Sequence, residues 1–234
     1  MKNACKTLAI YIVLVICLLS SCTKPKVTVA LTTQVLYTVK DTDGNVYHAI
    51  KIGNQVWLAE NLKTTHYNDG SPITHITDNA LWLGPNAGAY CDYNNNPAYS
   101  DTFGRLYNWL AVNNGFYLAP KGFHVATDDE WTTLTNYLGG EDVAGSHLKE
   151  AGTKHWKSPN LGSSNEVGFT ALPGGTRGYF GVFRNIDSAG FWWCSIPQYD
   201  KNDSWDRYIF YNDGSIYRGE ESIDFGHSVR CVKN

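Results

Sequence analysis

Only one stretch of this 234-residue chain is written as a long helix, and that restricts what the rest can build. In "ATDDEWTTLTNYLGG", Thr127 stands as N-cap with Glu130 three residues on, the reciprocal pair of a capping box. Asp128 and Asp129 suit the positive end of the helix dipole, Trp131, Leu134 and Leu138 share a face, and Gly139-Gly140 ends the run. A shorter helix is expected around Ala144 to Glu150. Elsewhere glycines and turn dipeptides cut the chain into short β-branched and aromatic runs. With so little helix, a core must come from bulky side chains on strands and loops, which gives meaning to the 14% aromatics and eight tryptophans.

The strand signals fall on both sides of that helix. In "DTDGNVYHAIKIGNQVWLAEN", Asp43-Gly44 is a tight turn, Val46 to Ile52 alternates, and Gly53-Asn54 leads into Val56-Trp57-Leu58, which together predict a hairpin. "DRYIFYNDGSIYRG" predicts another around Asn212-Asp213-Gly214. Strands, then one or two helices, then strands define an α+β arrangement. "YNDGS" occurs at Tyr67 to Ser71 and again at Tyr211 to Ser215; both copies read as turns, and no longer period joins them.

The N-terminus sets the expected location. Lys2 and Lys6 precede an apolar run from Leu8 to Leu19, shorter than the roughly 20 residues a spanning helix needs, and "LSSC" closes it at Cys22. Leu19-Ser20-Ser21-Cys22 is similar to the lipobox of bacterial lipoproteins. The expectation is therefore a signal peptide over 1–21, a diacylated Cys22, a tether over 22–36 and a domain over 37–234. Multiple acyl chains anchor firmly where one does not, so the membrane is an expected partner, through that lipid. Thr23 follows Cys22 where an Asp would signal retention at the inner membrane, so the protein is expected at the outer membrane, facing the periplasm or the cell surface. The mature chain keeps 17 basic against 22 acidic residues, a balance that argues against nucleic acid as partner.

Six motifs then carry a resemblance. "DTDGNVYHAIKIGNQVWLAENLKTTHYNDGSPI", "GRLYNWLAV", "GFHVATDDEW", "GFTALPGGTRG", "FWWCS" and "HSVRCV" occur in the order of the Fibrobacter succinogenes major paralogous domain, from about Tyr37 to the C-terminus. The resemblance implies a C-type-lectin-like fold, with one or two helices packed on short twisted antiparallel strands and long loops. It also implies a last strand that returns to the first. Related branches include formylglycine-generating enzymes and the ligand-binding variable proteins of diversity-generating retroelements. Two departures from the family pattern bear on the thiols. Ala119 stands where a cysteine is usual, and Cys194 where a serine is usual, so the customary partner of Cys231 is missing. Because both depart together, a Cys194–Cys231 disulfide is expected, with Cys91 the other candidate.

The remaining residues give little sign of catalysis. No metalloprotease, serine-hydrolase, phosphate-loop or CxxC motif is present, and Cys194 sits between tryptophans with no histidine at a spacing that would activate it. No cofactor is expected; a structural calcium at "DTDGN" or at "DKNDSWD" (Asp200 to Asp206) is a minor alternative, because turns need the same residues. Trp192 and Trp193 are expected in the core on opposite faces of one strand. Trp156 and Trp205 lie in polar segments and suit either a stacked ligand or a pinned loop. Recognition is expected from Pro197 to Glu221, where aromatics and charges interleave, with Tyr199, Trp205, Tyr217 and Arg218 as ligand-binding candidates and Arg207 as an ion-pair partner. The expected function is binding of a glycan or a surface protein, with an oxidoreductase of the formylglycine-generating type, or a structural part of an envelope assembly, as alternatives.

Overall fold

The computed structural model describes residues 35–83, 87–113, 115–198 and 202–234. The expected signal peptide, Cys22, most of the tether and Tyr199 lie outside these residues. Strand β1 (Val35–Lys40) begins two residues inside the segment read as tether and pairs antiparallel with β2 (Val46–Ile52), which turns into β3 (Gln55–Leu58). A middle region follows: β4 (Thr74–His75), α1 (Asn79–Trp82), β5 (Ala89–Cys91), α2 (Pro97–Phe103), β6 (Leu106–Tyr107), α3 (Trp109–Val112) and α4 (Gly115–Leu118). Then come β7 (Phe123–Val125), α5 (Asp128–Tyr137) and α6 (Glu141–Leu148). The second half is β8 (Gly174–Arg177), β9 (Phe183–Ile186), β10 (Ala189–Gln198), β11 (Asp203–Phe210), β12 (Tyr217–Ser222) and β13 (Cys231–Lys233). The class is α+β, mostly sheet.

The strands form three sheets, in the orders β1-β2-β3-β13-β7, β12-β11-β10-β8-β9 and β4-β5-β6. Strand β13 returns to lie between β3 and β7, with Val232 opposite both Trp57 and His124, so the chain closes on its opening hairpin as expected. Lys233 Nζ lies 5.5 Å from the Tyr37 ring centre, tying the C-terminal strand to the first one.

Local chemistry explains the elements that the sequence advertises. The Asp41 carboxylate accepts the Asp43 and Asn45 amides at 3.0 and 2.9 Å, and Gly44 takes φ +83°, so the β1–β2 turn is set by its own residues. In α5 the capping box closes as drawn: the Glu130 amide donates to Thr127 Oγ1 at 3.2 Å, and the Thr127 amide to Glu130 Oε2 at 2.8 Å. Helix α6 starts three residues before its expected position, because Gly140 can adopt the φ of +102° that lets a new helix begin directly after α5.

Two aromatic clusters make the main core, and β10 divides them. Trp192 joins Trp57, Trp131 and Phe169 in one, while Trp193 joins Tyr47, Tyr107, Trp109 and Cys231 in the other. Both indoles are fully buried and both are satisfied: Trp192 Nε1 donates to Asn61 Oδ1 and Trp193 Nε1 to the Tyr107 carbonyl, each at 2.8 Å. Trp156 belongs to the first cluster, buried with its Nε1 donating to the Ala171 carbonyl at 2.9 Å. The ligand-stacking alternative for Trp156 is thereby corrected; it pins its own loop.

Three buried cations hold the irregular second half. Arg230 donates to the carbonyls of Leu58, Phe169 and Thr170 and to Asn61 Oδ1, at 2.7 to 3.0 Å. Arg177 reaches the carbonyls of Ile76, Thr77 and Gly181 and Asn79 Oδ1, and packs over Trp82. Lys149 Nζ donates to the carbonyls of Leu161, Phe210 and Asp213. Each satisfies loop carbonyls that sheet and helix leave unpaired, which would otherwise be costly in the interior.

Candidate functional site

The alternation of β11 decides which of the expected binding residues can act together. Trp205, Arg207 and Ile209 point towards α5, whereas Ser204, Asp206, Tyr208 and Phe210 point the other way. Strand β12 continues both sets, since Arg207 pairs with Arg218 and Tyr208 with Tyr217. The expected group of Trp205, Tyr217 and Arg218 is therefore split across two faces of one sheet.

On the inner face Asp128, the first residue of α5, is the common partner. Arg207 Nη2 donates to Asp128 Oδ1 at 2.7 Å, and also to the Asp128 carbonyl and Thr132 Oγ1. Arg218 forks onto the same carboxylate, Nε to Oδ1 at 2.9 Å and Nη2 to Oδ2 at 2.8 Å, while its guanidinium lies flat on Trp205, 3.3 Å from the ring centre. Burial works to raise the Asp128 pKa, but the two guanidiniums outweigh it and hold the carboxyl below its usual range. Arg207 is the ion-pair partner that was expected; Arg218 and Trp205 are engaged in the same internal tie.

The outer face has a different chemistry. Phe191, Tyr208, Phe210 and Tyr217 form a patch of rings in mutual contact, with Tyr208 and Tyr217 stacked 5.1 Å apart at 14°. Tyr217 is exposed, and the other three are half-buried. Tyr217 Oη donates to Asp213 Oδ2 at 2.9 Å, which orients the ring.

Beside these rings sits a buried acid–imidazole pair that the sequence did not reveal. Asp206 and His227 are almost completely buried, with Asp206 Oδ2 3.5 Å from His227 Nε2. His227 Nδ1 faces Thr176 Oγ1 at 3.0 Å and the Gly226 carbonyl at 3.2 Å; because Thr176 Oγ1 donates to that same carbonyl at 3.1 Å, the arrangement suits a proton on Nδ1, with Nε2 turned towards Asp206. Ser204 Oγ, both Asp206 oxygens and His227 Nε2 lack a hydrogen-bond partner among the described residues; the Gly219 amide approaches the carboxyl without hydrogen-bonding geometry. Burial, then the nearby Glu221, raises Asp206 to about 8, and burial lowers His227 to about 3. Over the neutral range Asp206 therefore keeps its proton and His227 is uncharged. Gly219 is required above it, since a Cβ there would stand 2.6 Å from Asp206 Oδ1.

The thiol expectation is corrected. Cys91, Cys194 and Cys231 are all free and buried, so the Cys194–Cys231 bridge is not formed. Cys194 faces the cluster of Trp57 and Trp192, and Cys231 faces that of Tyr47 and Trp193; the core strands separate them. Burial pushes Cys91 up to about 12 and raises the other two further. Each of the seven histidines pairs with a carboxylate, and Cys194 Sγ donates weakly to Asp128 Oδ1 at 3.9 Å beside the Arg207 guanidinium.

The "DTDGN" oxygens are likewise committed. Asp41 takes the turn amides, Asn45 Nδ2 and Tyr47 Oη, while Asp43 takes Thr64, Thr65 and His66. Among the described residues no group of three His, Cys, Asp or Glu side chains could hold a metal. A cleft of about 350 Å³ lies beside this turn, between Lys40, His66, Asp69 and Lys121, with no Phe, Tyr or Trp in its lining. No helix among the described residues is long and apolar enough to cross a membrane.

This is a mostly-sheet α+β domain whose final strand locks into its first hairpin, with a patch of rings on one sheet face. Residues 50–233 match the model of the Fibrobacter succinogenes major domain (Fib_succ_major), and the chain belongs to that family. No curated protein and no solved structure matches the chain.

Proposed function

We propose that this protein is a lipid-anchored binding module of the cell envelope, with a C-type-lectin-like fold, and that it recognises a glycan on the outer face of β10–β12. The observation that carries the reading is the patch of Phe191, Tyr208, Phe210 and Tyr217, half-open to solvent and bordered by hydroxyl and carboxyl groups. Rings stack on the apolar faces of sugars, and polar groups at their edge fix orientation. The return of β13 to the opening hairpin and the long tied loops support the lectin-like assignment. "LSSC" at Cys22 supports the anchor and the outer-membrane location.

An oxidoreductase of the formylglycine-generating type receives less support, since Cys194 and Cys231 sit in different clusters and burial disfavours their thiolates. The test is a glycan array probed with the full chain in detergent. Binding that is lost in Tyr217→Ala and Tyr208→Ala, with folding intact, is the expected result; no glycan bound, or binding indifferent to both substitutions, overturns the reading. For the anchor, Cys22→Ala should move the protein from the detergent phase to the aqueous phase.

A further inference from the structure

The ring patch continues past the sheet. Phe210 contacts Tyr217 at 6.0 Å between centres, Tyr217 contacts Tyr208 at 5.1 Å, and Tyr208 contacts Phe191 at 5.8 Å. The track then leaves β10 through His227, stacked on Phe191 at 5.3 Å, and runs on to Phe225 at 5.9 Å and Tyr179 at 4.8 Å. Its rings come from β10, β11, β12, the loop before β13 and the turn before β9. Tyr217 at one end and Tyr179 at the other are exposed, while His227 forms a buried floor between them. Beyond Tyr179, Phe180 is 72% exposed at φ +60°, a conformation unfavourable for an aromatic residue. Arg177 fixes that turn by donating to the Gly181 carbonyl and to Asn79 Oδ1, so the tip is rigidly presented.

The charge along the track is distinctive too. The alternation of β10, β11 and β12 puts Asp206 and Glu221 on this face and, among the described residues, no lysine or arginine. Burial raises both carboxyls, Asp206 to about 8, so this face carries little negative charge at Asp206 and no positive charge from these strands. An anionic polymer finds no lysine or arginine on the described residues of this face of β10–β12, and a ligand rich in hydroxyls finds carboxyl oxygens and rings there.

Resting on the glycan reading above, we propose that the ligand is a neutral linear polysaccharide lying along this track, with consecutive sugar units engaged from Tyr217 to Tyr179. A monosaccharide would cover one or two of the rings and leave the far end without a role. Contacts in series on one chain also reinforce one another, because the second is made at high effective concentration.

The test is calorimetry on the full chain in detergent with neutral β-linked gluco-, manno- and xylo-oligosaccharides, from disaccharide to octasaccharide, and with polygalacturonate as the acidic comparator. Affinity should climb about tenfold or more with length and then level off. Tyr179→Ala, at an exposed turn, should keep the melting temperature while abolishing the gain in affinity with length. Length-independent affinity, or an unchanged length series in Tyr179→Ala, overturns the track and leaves the glycan reading standing. Preference for polygalacturonate overturns the neutral ligand, and no binding to any of these probes overturns both readings.

Discussion

The two faces of the sheet β10–β12 are built from the same three strands yet have opposite chemistry. The inner face is closed: Trp192 is sealed against Trp131, and Arg207 and Arg218 share Asp128 at the start of α5. The outer face is open at its rings and unsatisfied beneath them, where the Asp206 carboxyl, Ser204 Oγ and His227 Nε2 lack hydrogen-bond partners among the described residues. The inner face has unpaired atoms too, at Arg207 Nε and Trp131 Nε1, but there the same side chains are held by the Asp128 carboxylate and by packed rings, whereas the Asp206 carboxyl has no such anchor. On the proposed reading, the difference teaches that stability and recognition are separated in this domain by a single strand alternation.

The largest expected effect tests the closed face. Trp192→Ala should destabilise by about 3–5 kcal/mol, as loss of a buried aromatic does, measured by denaturant unfolding. Asp128→Ala comes next. It leaves the buried Arg207 without its carboxylate and should cost about 3 kcal/mol. Arg218→Ala, at the partly exposed end of the same network, should cost only about 1 kcal/mol. If Arg218→Ala proves as damaging as Asp128→Ala, the inner face is not organised around Arg207.

A pH profile separates the faces further. In the unfolded chain Asp206 and His227 titrate at their ordinary values of 3.8 and 6.5, whereas in the folded chain they stand at about 8 and about 3. Between 3.8 and 6.5 both states hold one proton on the pair, so it contributes no slope. From 6.5 to about 8 the folded pair keeps a proton that the unfolded chain has released, so stability falls as pH rises, by on the order of 2 kcal/mol. Asp206→Asn should remove that fall and make stability rise with pH up to 6.5, through His227 alone. Lys149, lowered by burial to about 8, acts above this window and with the opposite sign. Unfolding titrations that give parallel curves for the two proteins would show that Asp206 does not keep its proton in the folded chain.

The smallest effect on stability is expected at the open face. Tyr217→Ala should change it by no more than about 0.5–1 kcal/mol, since one side of the ring is in solvent, yet should remove most glycan binding. Should Tyr217→Ala unfold the protein while Trp192→Ala does not, core and binding face have been exchanged.

Much of the framework was legible in the sequence. Thr127 and Glu130 announced α5 because a capping box is made within four residues, and Asp43-Gly44 and Asp213-Gly214 announced their turns for the same reason. The opposite burial of Trp192 and Trp193 followed from the period of a strand. The candidate site was only half legible. Tyr217 falls on the open face, but reading Pro197 to Glu221 as one segment joined residues that the two-residue period places on opposite sides. Tyr208 and Phe210 were not singled out, though the same alternation, applied from Ile209, places both on the outer face.

The sequence by itself determined what depends on neighbours: the capped helix, the turns, the two-faced strands, the apolar N-terminal run ending at Cys22 and membership of the family. Only the tertiary structure decided which charges meet. Asp128 finds Arg207 79 residues away, Arg218 finds Asp128 across 90, and Arg230 finds Asn61 across 169. It also decided that Asp206 keeps its proton, that three thiols stay apart and that rings from five segments line up. The physical reason is that a period fixes the direction in which a side chain points, whereas its protonation and its partners depend on burial and on groups the chain delivers from elsewhere.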